Sequence, residues 1–228
     1  MGVHDGHRHR TLAKFSKNGF AGLEEHQKLE IILFFSVPRI DTNEVAHLLL
    51  NKFHNIAGVM DAPAEELKTF PGITDRTVQL FKMIKETYSL YSLEKNNDKT
   101  FLTVSEEFGT YFQLYFTPID DEKLAVMSLD SRGKIIDVDI VGEGDISSVA
   151  VNPRKILETV IKRKASEVVF CHNHPGNIPF PSNKDIEVTK ILGQYMTSVG
   201  VFMKDHIIVT KDDYISMASD PKYNKLFK

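Results

Sequence analysis

The most constraining stretch of this chain is His172-Asn173-His174-Pro175, joined by a short turn-rich connection to Ser182-Asn183-Lys184-Asp185. An apolar run, Glu167 to Asn173, leads into it, and a helical rhythm (Ile186, Thr189, Ile191, Leu192, Tyr195, Met196) leads out of it. The chain must therefore end a strand and begin a helix around Pro175-Gly176-Asn177-Ile178-Pro179-Phe180-Pro181, which is turn chemistry throughout. Side chains on a strand alternate with period two, so His172 and His174 share a face and their imidazoles can share one cation. Asp185, 11 positions beyond His174, supplies a third ligand if the chain turns back. Two neutral nitrogens and one carboxylate suit Zn²⁺ and leave the fourth tetrahedral position to water, which separates a catalytic site from a structural one. A second reading stands beside this one. Ser182-x-x-Asp185 is also a capping-box pattern, in which both residues satisfy backbone donors of the helix. A cap explains the serine and the aspartate and leaves the paired histidines without a reason.

The rest of the chain bounds the setting. At 228 residues it can form one large or two small domains, each with its own core. A single cysteine, Cys171, excludes an intrachain disulfide framework and fits a reducing cytoplasm, the expected location. No apolar run approaches the roughly 18 residues a membrane span needs. The start, Met1 to Arg10, is rich in histidine and has no hydrophobic signal core, so neither export nor insertion is expected and a frayed terminus is. The net charge of −3 provides no overall basic excess for nucleic acid, so any DNA contact has to be local.

Residues 1–97 read as helical: a helix over 23–35, another from an Asp41-Thr42-Asn43-Glu44 start toward Phe53, a short element at 64–67, and a longer helix over 78–93. The last two flank Phe70-Pro71-Gly72-Ile73-Thr74-Asp75. Helix, Pro-Gly-Ile turn, helix resembles a helix-hairpin-helix module, whose turn amides can hold a DNA phosphate. Thr74 stands where a second glycine is usual and Asp75 puts negative charge where a phosphate would approach, so structural packing and DNA contact both stay open. The polar string 94–99 reads as the linker to a second domain over 98–228. There the pattern is α/β or α+β: helices at 101–115, 153–164 and 182–198, and strands at 123–130, 134–142, 148–151, 167–173 and 201–210. Gly142-Glu143-Gly144 precedes no helix in the context a phosphate loop needs.

His-x-His, seven residues, Ser, two residues, Asp resembles the JAMM motif of MPN-domain zinc peptidases, and the longer string from His172 to Asp185, with Asp205-His206-Ile207-Ile208-Val209 further on, resembles the RadC family. The likeness runs through nearly the whole chain in family order. Gly176-Asn177 stands where the family usually has Ser-Gly, and Pro153-Arg154-Lys155 where Pro-Arg-Glu is common; neither change removes a ligand of the motif. The resemblance implies a JAMM/MPN-like catalytic domain, cytidine-deaminase-like in fold, behind a small all-α helix-hairpin-helix-like domain. It also implies an upstream glutamate acting as general base toward zinc-activated water, a role assigned to Glu122, with Glu143 and Glu158 in reserve. In such a site the Ser182 hydroxyl serves the oxyanion. Cys171 points to the opposite face by strand alternation and reads as a core thiol, while His206 reads as a supporting residue near the site.

The expected activity is zinc-dependent hydrolysis of an amide bond in a peptide or protein, with His172, His174 and Asp185 as metal ligands and Glu122 and Ser182 as catalytic residues. Two alternatives stand. One is a DNA-repair or recombination accessory whose helical module binds DNA beside a structural metal domain, and the other is nucleolytic cleavage at the same metal. Deaminase chemistry is disfavoured because the Pro-Cys-x-x-Cys half of its signature is absent.

Overall fold

In the computed structural model, residues 3–38, 40–96, 102, 104–144, 152–175 and 178–227 are described. The chain divides into two compact units, Met1–Glu86 and Thr87–Lys228.

The first unit is helical: α1 (Val3–Asn18), α2 (Glu25–Leu33), α3 (Thr42–Phe53), α4 (Ile56–Asp61), α5 (Ala64–Leu67) and the first turns of α6 (Asp75–Asn96). Leu29, Leu33, Val45, Leu49, Val59, Leu67 and Phe81 form its core. Side chains start the helices as their types dictate: Asp41 accepts from Asn43 N at 3.0 Å and Asn55 from Gly58 N at 2.7 Å. The Pro71-Gly72 turn needs its glycine twice over. Gly72 has φ 73°, and a Cβ there would lie 2.7 Å from Ile40 Cδ1 and 3.0 Å from Val37 Cγ1.

Two features of this unit differ from expectation. The histidine-rich start is helical from Val3, and within α1 His7 Nε2 lies 3.0 and 3.1 Å from the carboxylate oxygens of buried Glu30 while Arg8 donates to Val37 O at 3.0 Å. Tertiary contacts hold a segment that composition alone left frayed. Similarly, α6 runs on through Glu94, Lys95 and Asn96, half of the string read as linker; residues 97–99 lie outside the described residues.

The second unit is built on a five-stranded sheet in the order β2-β1-β3-β4-β5. Its strands are β1 (Lys123–Leu129), β2 (Ile135–Glu143), β3 (Glu167–Asn173), β4 (Phe202–Val209) and β5 (Tyr214–Ser216). The β1–β2 hairpin follows from its turn residues: Asp130 Oδ1 accepts from Arg132 N and Lys134 N at 2.8 and 2.9 Å, and Gly133 takes φ 80°. β3 pairs antiparallel with β1 and parallel with β4. The parallel step is bridged by α9 (Asn183–Ser198), as a crossover requires. Helices α8 (Pro153–Arg163) and α9 cover one face, packing on Leu124, Val126, Val168 and Phe170. Helix α7 (Ser105–Phe116) covers the other with Phe108, Phe112 and Phe116 against Ala125, Met127, Val169, Cys171 and Ile207. The strand expected at 148–151 lies outside the described residues.

The β3–β4 pairing is irregular at one point. It steps from Val168↔Met203 to Val169↔Asp205, so Lys204 is an extra residue and β4 changes phase there. Every residue of β4 beyond Lys204 therefore faces the side of the sheet opposite to the one an unbroken strand would give it.

Candidate metal centre

β3 ends on the central line of the sheet with α9 starting beside it, and ligands of α/β sheets collect at such carboxyl ends. His172 is the penultimate residue of β3 and is fully buried. His174 continues the pairing one step further, its backbone N donating to Val209 O at 2.8 Å. The two Nε2 atoms lie 2.8 Å apart. Asp185, in the first turn of α9, brings Oδ1 to 3.2 Å from His172 Nε2 and Oδ2 to 3.6 Å from His174 Nε2. A tetrahedral ion with bonds of about 2.0–2.1 Å has donor–donor edges of roughly 3.3 Å. The separations bracket that length, but the two Asp185 contacts use different oxygens, and the group whose single donor atoms all lie within 4.8 Å of one another is His172, His174 and Glu122.

The capping box is formed as well. Ser182 N donates to Asp185 Oδ2 at 2.6 Å and Asp185 N donates to Ser182 Oγ at 3.2 Å. The cap does not take Asp185 away from the histidines: it orients the carboxylate, whose oxygens still face both imidazoles. Ser182 is exposed, and its oxygen accepts in the cap, so its hydroxyl hydrogen is left to donate elsewhere.

Burial disfavours charge on Asp185, but the hydrogen bond and charge of His172 and the bonds from Ser182 outweigh it, holding the carboxyl well below its usual range. The His174 pKa is lowered, chiefly by burial and then by His172, with Asp185, the Ile178 carbonyl and Glu122 opposing. The Asp185 shift belongs to a state in which His172 is charged and donates to it, and a bound metal would replace that proton.

Glu122 lies just before β1. Because Leu124 pairs with His172, stepping two residues outward along each antiparallel strand brings Glu122 opposite His174. One of its carboxylate oxygens and one nitrogen from each of His172 and His174 lie within 4.8 Å of one another. Its reserves sit elsewhere: Glu143 faces Lys123 at 3.5 Å, and Glu158 on α8 pairs with Arg154 at 2.7 Å.

Two neighbours were invisible in the motif. Asn173 accepts from Lys123 N at 2.8 Å and donates to Asp121 O at 2.9 Å, clasping the backbone on either side of Glu122. Its amide stands in for a peptide group where backbone pairing stops. Thr189, read only as part of a helical rhythm, is fully buried and meets His206 Nδ1 at 2.7 Å. His206 in turn reaches His172 Nδ1 at 3.0 Å, so it touches the site directly instead of flanking it. Burial foremost, then repulsion from His172, pushes the His206 pKa well below its ordinary value. Cys171 is buried in the α7-side core, and burial pushes its thiol well up.

The sequence matches known proteins over most of its length. Residues 102–223 match the family model described as a RadC-like JAB domain, which places the second unit in the JAB class. A UPF0758 protein of Fusobacterium nucleatum is 32% identical over 222 residues, 94% of this chain and 96% of that one. A UPF0758 protein of Ruegeria pomeroyi is 26% identical over 214 residues, with the same coverage. The chain belongs to the RadC family. Among the described residues no helix is long and apolar enough to cross a membrane.

Proposed function

We propose that the second unit is a zinc-dependent hydrolase of amide bonds on an MPN-like, cytidine-deaminase-like fold, acting on a peptide or protein in a reducing cytoplasm. The observation that carries this reading is the pair of imidazole Nε2 atoms of His172 and His174, 2.8 Å apart, with the Asp185 carboxylate against both and a Glu122 oxygen within 4.8 Å. Those three residues would hold Zn²⁺, and what a bound zinc supplies is Lewis acidity, which brings the pKa of a water at its open position to about 7 and polarises a carbonyl. Glu122 would accept a proton from the attacking water and return it to the departing amine nitrogen. Asn173 holds Glu122 in place through Asp121 and Lys123. Ser182 turns its remaining hydroxyl hydrogen toward the carbonyl oxygen as negative charge gathers there.

Metal analysis of the purified chain should find about one zinc per chain. His174→Ala and Asp185→Ala should lose it, while Glu122→Gln should keep it and lose hydrolysis of a fluorogenic peptide library. No zinc in the native chain, or zinc retained without Asp185, would overturn the assignment. Zinc lost from Glu122→Gln would make Glu122 a ligand and not the base.

The DNA-accessory reading rests on the turn before α6. Its glycine adopts the conformation such a turn needs, but Asp75 opens α6, 3.3 Å from Lys68, so a carboxylate lies where a phosphate would approach. The hydrolase reading is better supported.

A further inference from the structure

β4 carries a fully buried imidazole, His206, immediately before the apolar run Ile207-Ile208-Val209. Its contacts can be resolved atom by atom. Thr189 Oγ1 has one hydrogen and three neighbours: Asp185 O at 2.6 Å, Met217 Sδ at 3.5 Å and His206 Nδ1 at 2.7 Å. The carbonyl four residues back, the nearest of the three and the customary acceptor for a helical threonine, takes it. Were the hydrogen given to His206 Nδ1 instead, the Thr189 and Asp185 oxygens would stand 2.6 Å apart with no hydrogen between them, so the geometry favours His206 Nδ1 carrying a hydrogen and donating to Thr189. A neutral ring has only one, which leaves Nε2 of His206 bare. That atom lies 3.0 Å from His172 Nδ1 and must accept from it.

We infer that His206 and Thr189 are positioning residues that fix the tautomer of His172, holding its hydrogen on Nδ1 so that the Nε2 lone pair faces the metal position. This rests on the hydrolase reading for its purpose but not for its geometry. The alternative tautomer is a real competitor. With its hydrogen on Nε2, a neutral His172 would donate to the Asp185 carboxylate, 3.2 Å away, or to His174 Nε2, 2.8 Å away, and would offer no lone pair to a cation at that position. The donor chain runs one way, His172 to His206 to Thr189 to the Asp185 carbonyl, and so begins and ends on two residues of the ligand set. A metal-bound histidine commonly donates its other N–H to an oriented acceptor, and here that acceptor is a second imidazole whose own tautomer is set by a hydroxyl.

The test reads the tautomer directly. Long-range ¹H–¹⁵N spectra of the metal-free, ¹⁵N-labelled full chain should show His172 with its hydrogen on Nδ1. His206→Phe keeps the ring's bulk and removes the acceptor; it should move the hydrogen to Nε2 and weaken zinc, measured by competition with a chromophoric chelator, by about 10–100-fold. His206→Gln, whose amide offers both an acceptor and a donor, should restore both properties. Thermal unfolding reports whether each variant folds, and if the phenylalanine variant does not, Thr189→Val should shift tautomer and affinity in the same direction by a smaller amount. A native His172 carrying its hydrogen on Nε2, or a folded His206→Phe chain with tautomer and zinc affinity unchanged, would overturn the inference. The spectra need no metal, so a native chain that fails to take up zinc would sink the hydrolase reading while leaving the tautomer decided.

Discussion

The two faces of the central sheet use the same strands for opposite purposes. On the α7 side, Ala125, Met127, Val169, Cys171 and Ile207 meet Phe108, Phe112 and Phe116, and a buried charge, Asp205, is enclosed by hydrogen bonds. On the α8/α9 side the apolar packing of Val168 and Phe170 gives way within two residues to His172, and across β4 to His206. Period-two alternation makes this division possible: one strand contributes to a dry core with one set of residues and to a polar site with the other. At the carboxyl end of β3, where the α8/α9 face turns polar, stability and chemistry should therefore separate by face.

The sharpest break is Phe112→Ala. Phe112 is fully buried at the centre of the α7 face, and its truncation should cost about 3–5 kcal/mol in denaturant unfolding. Zinc affinity of the folded fraction should stay unchanged. A parallel loss of zinc would mean that the α7 core and the site form one mechanical unit.

Asp205 is the next largest. It accepts from His206 N at 2.7 Å, Ala218 N at 2.9 Å and the Ser216 hydroxyl, so Asp205→Ala strands buried donors and should cost about 1–3 kcal/mol. Its pH behaviour has a defined sign. Burial raises its pKa, with the bonds from Ser216, Ala218, His206 and Ser105 opposing, and the folded value ends above the unfolded one. This group's contribution is therefore complete below the ordinary carboxylate pKa and is lost as pH rises through the raised value. Urea titrations across that window should show the slope in the native chain and its absence in Asp205→Asn; equal slopes would refute it.

How much of this was legible in the sequence depends on what each element obeys. The strand β3, the cap at Ser182 and helix α9 follow local rules, and strand alternation alone brings His172 and His174 together. Asp185 could be placed because the turn chemistry between Pro175 and Pro181 forces the chain back. What could not be read was phase. The extra residue at Lys204 shifts β4 by one, and without it Asp205 would pair with Phe170 and face the site while His206 faced the α7 core. A bulge of this kind leaves no periodic trace in one sequence. Nor could α1 be read as docked, since the partner that holds His7 is Glu30, 23 residues away. The helix α4 and strand β5 are too short to show a period at all.

Asn173 should give the smallest change in stability and the most informative one, because it sits on the boundary between the faces. It belongs to the same alternation set as Cys171, yet its amide turns to the β1 backbone beyond the last paired residues, accepting from Lys123 N and donating to Asp121 O. Removing it in Asn173→Ala deletes two hydrogen bonds at the partly buried end of the strand, where water can replace them, so the cost should be about 1 kcal/mol. Zinc should be retained, because no ligand is touched. Turnover should nonetheless fall, by up to about 100-fold, since Glu122 loses the clasp on both sides of its backbone and a misplacement of about 1 Å is enough for that effect. Asn173→Asp discriminates further: it keeps the acceptor for Lys123 N but sets a carboxylate oxygen against the Asp121 carbonyl, so it should be no better than alanine in turnover. Full activity in either variant would show that Glu122 is held by other contacts and that the boundary between the faces lies one residue nearer the strand.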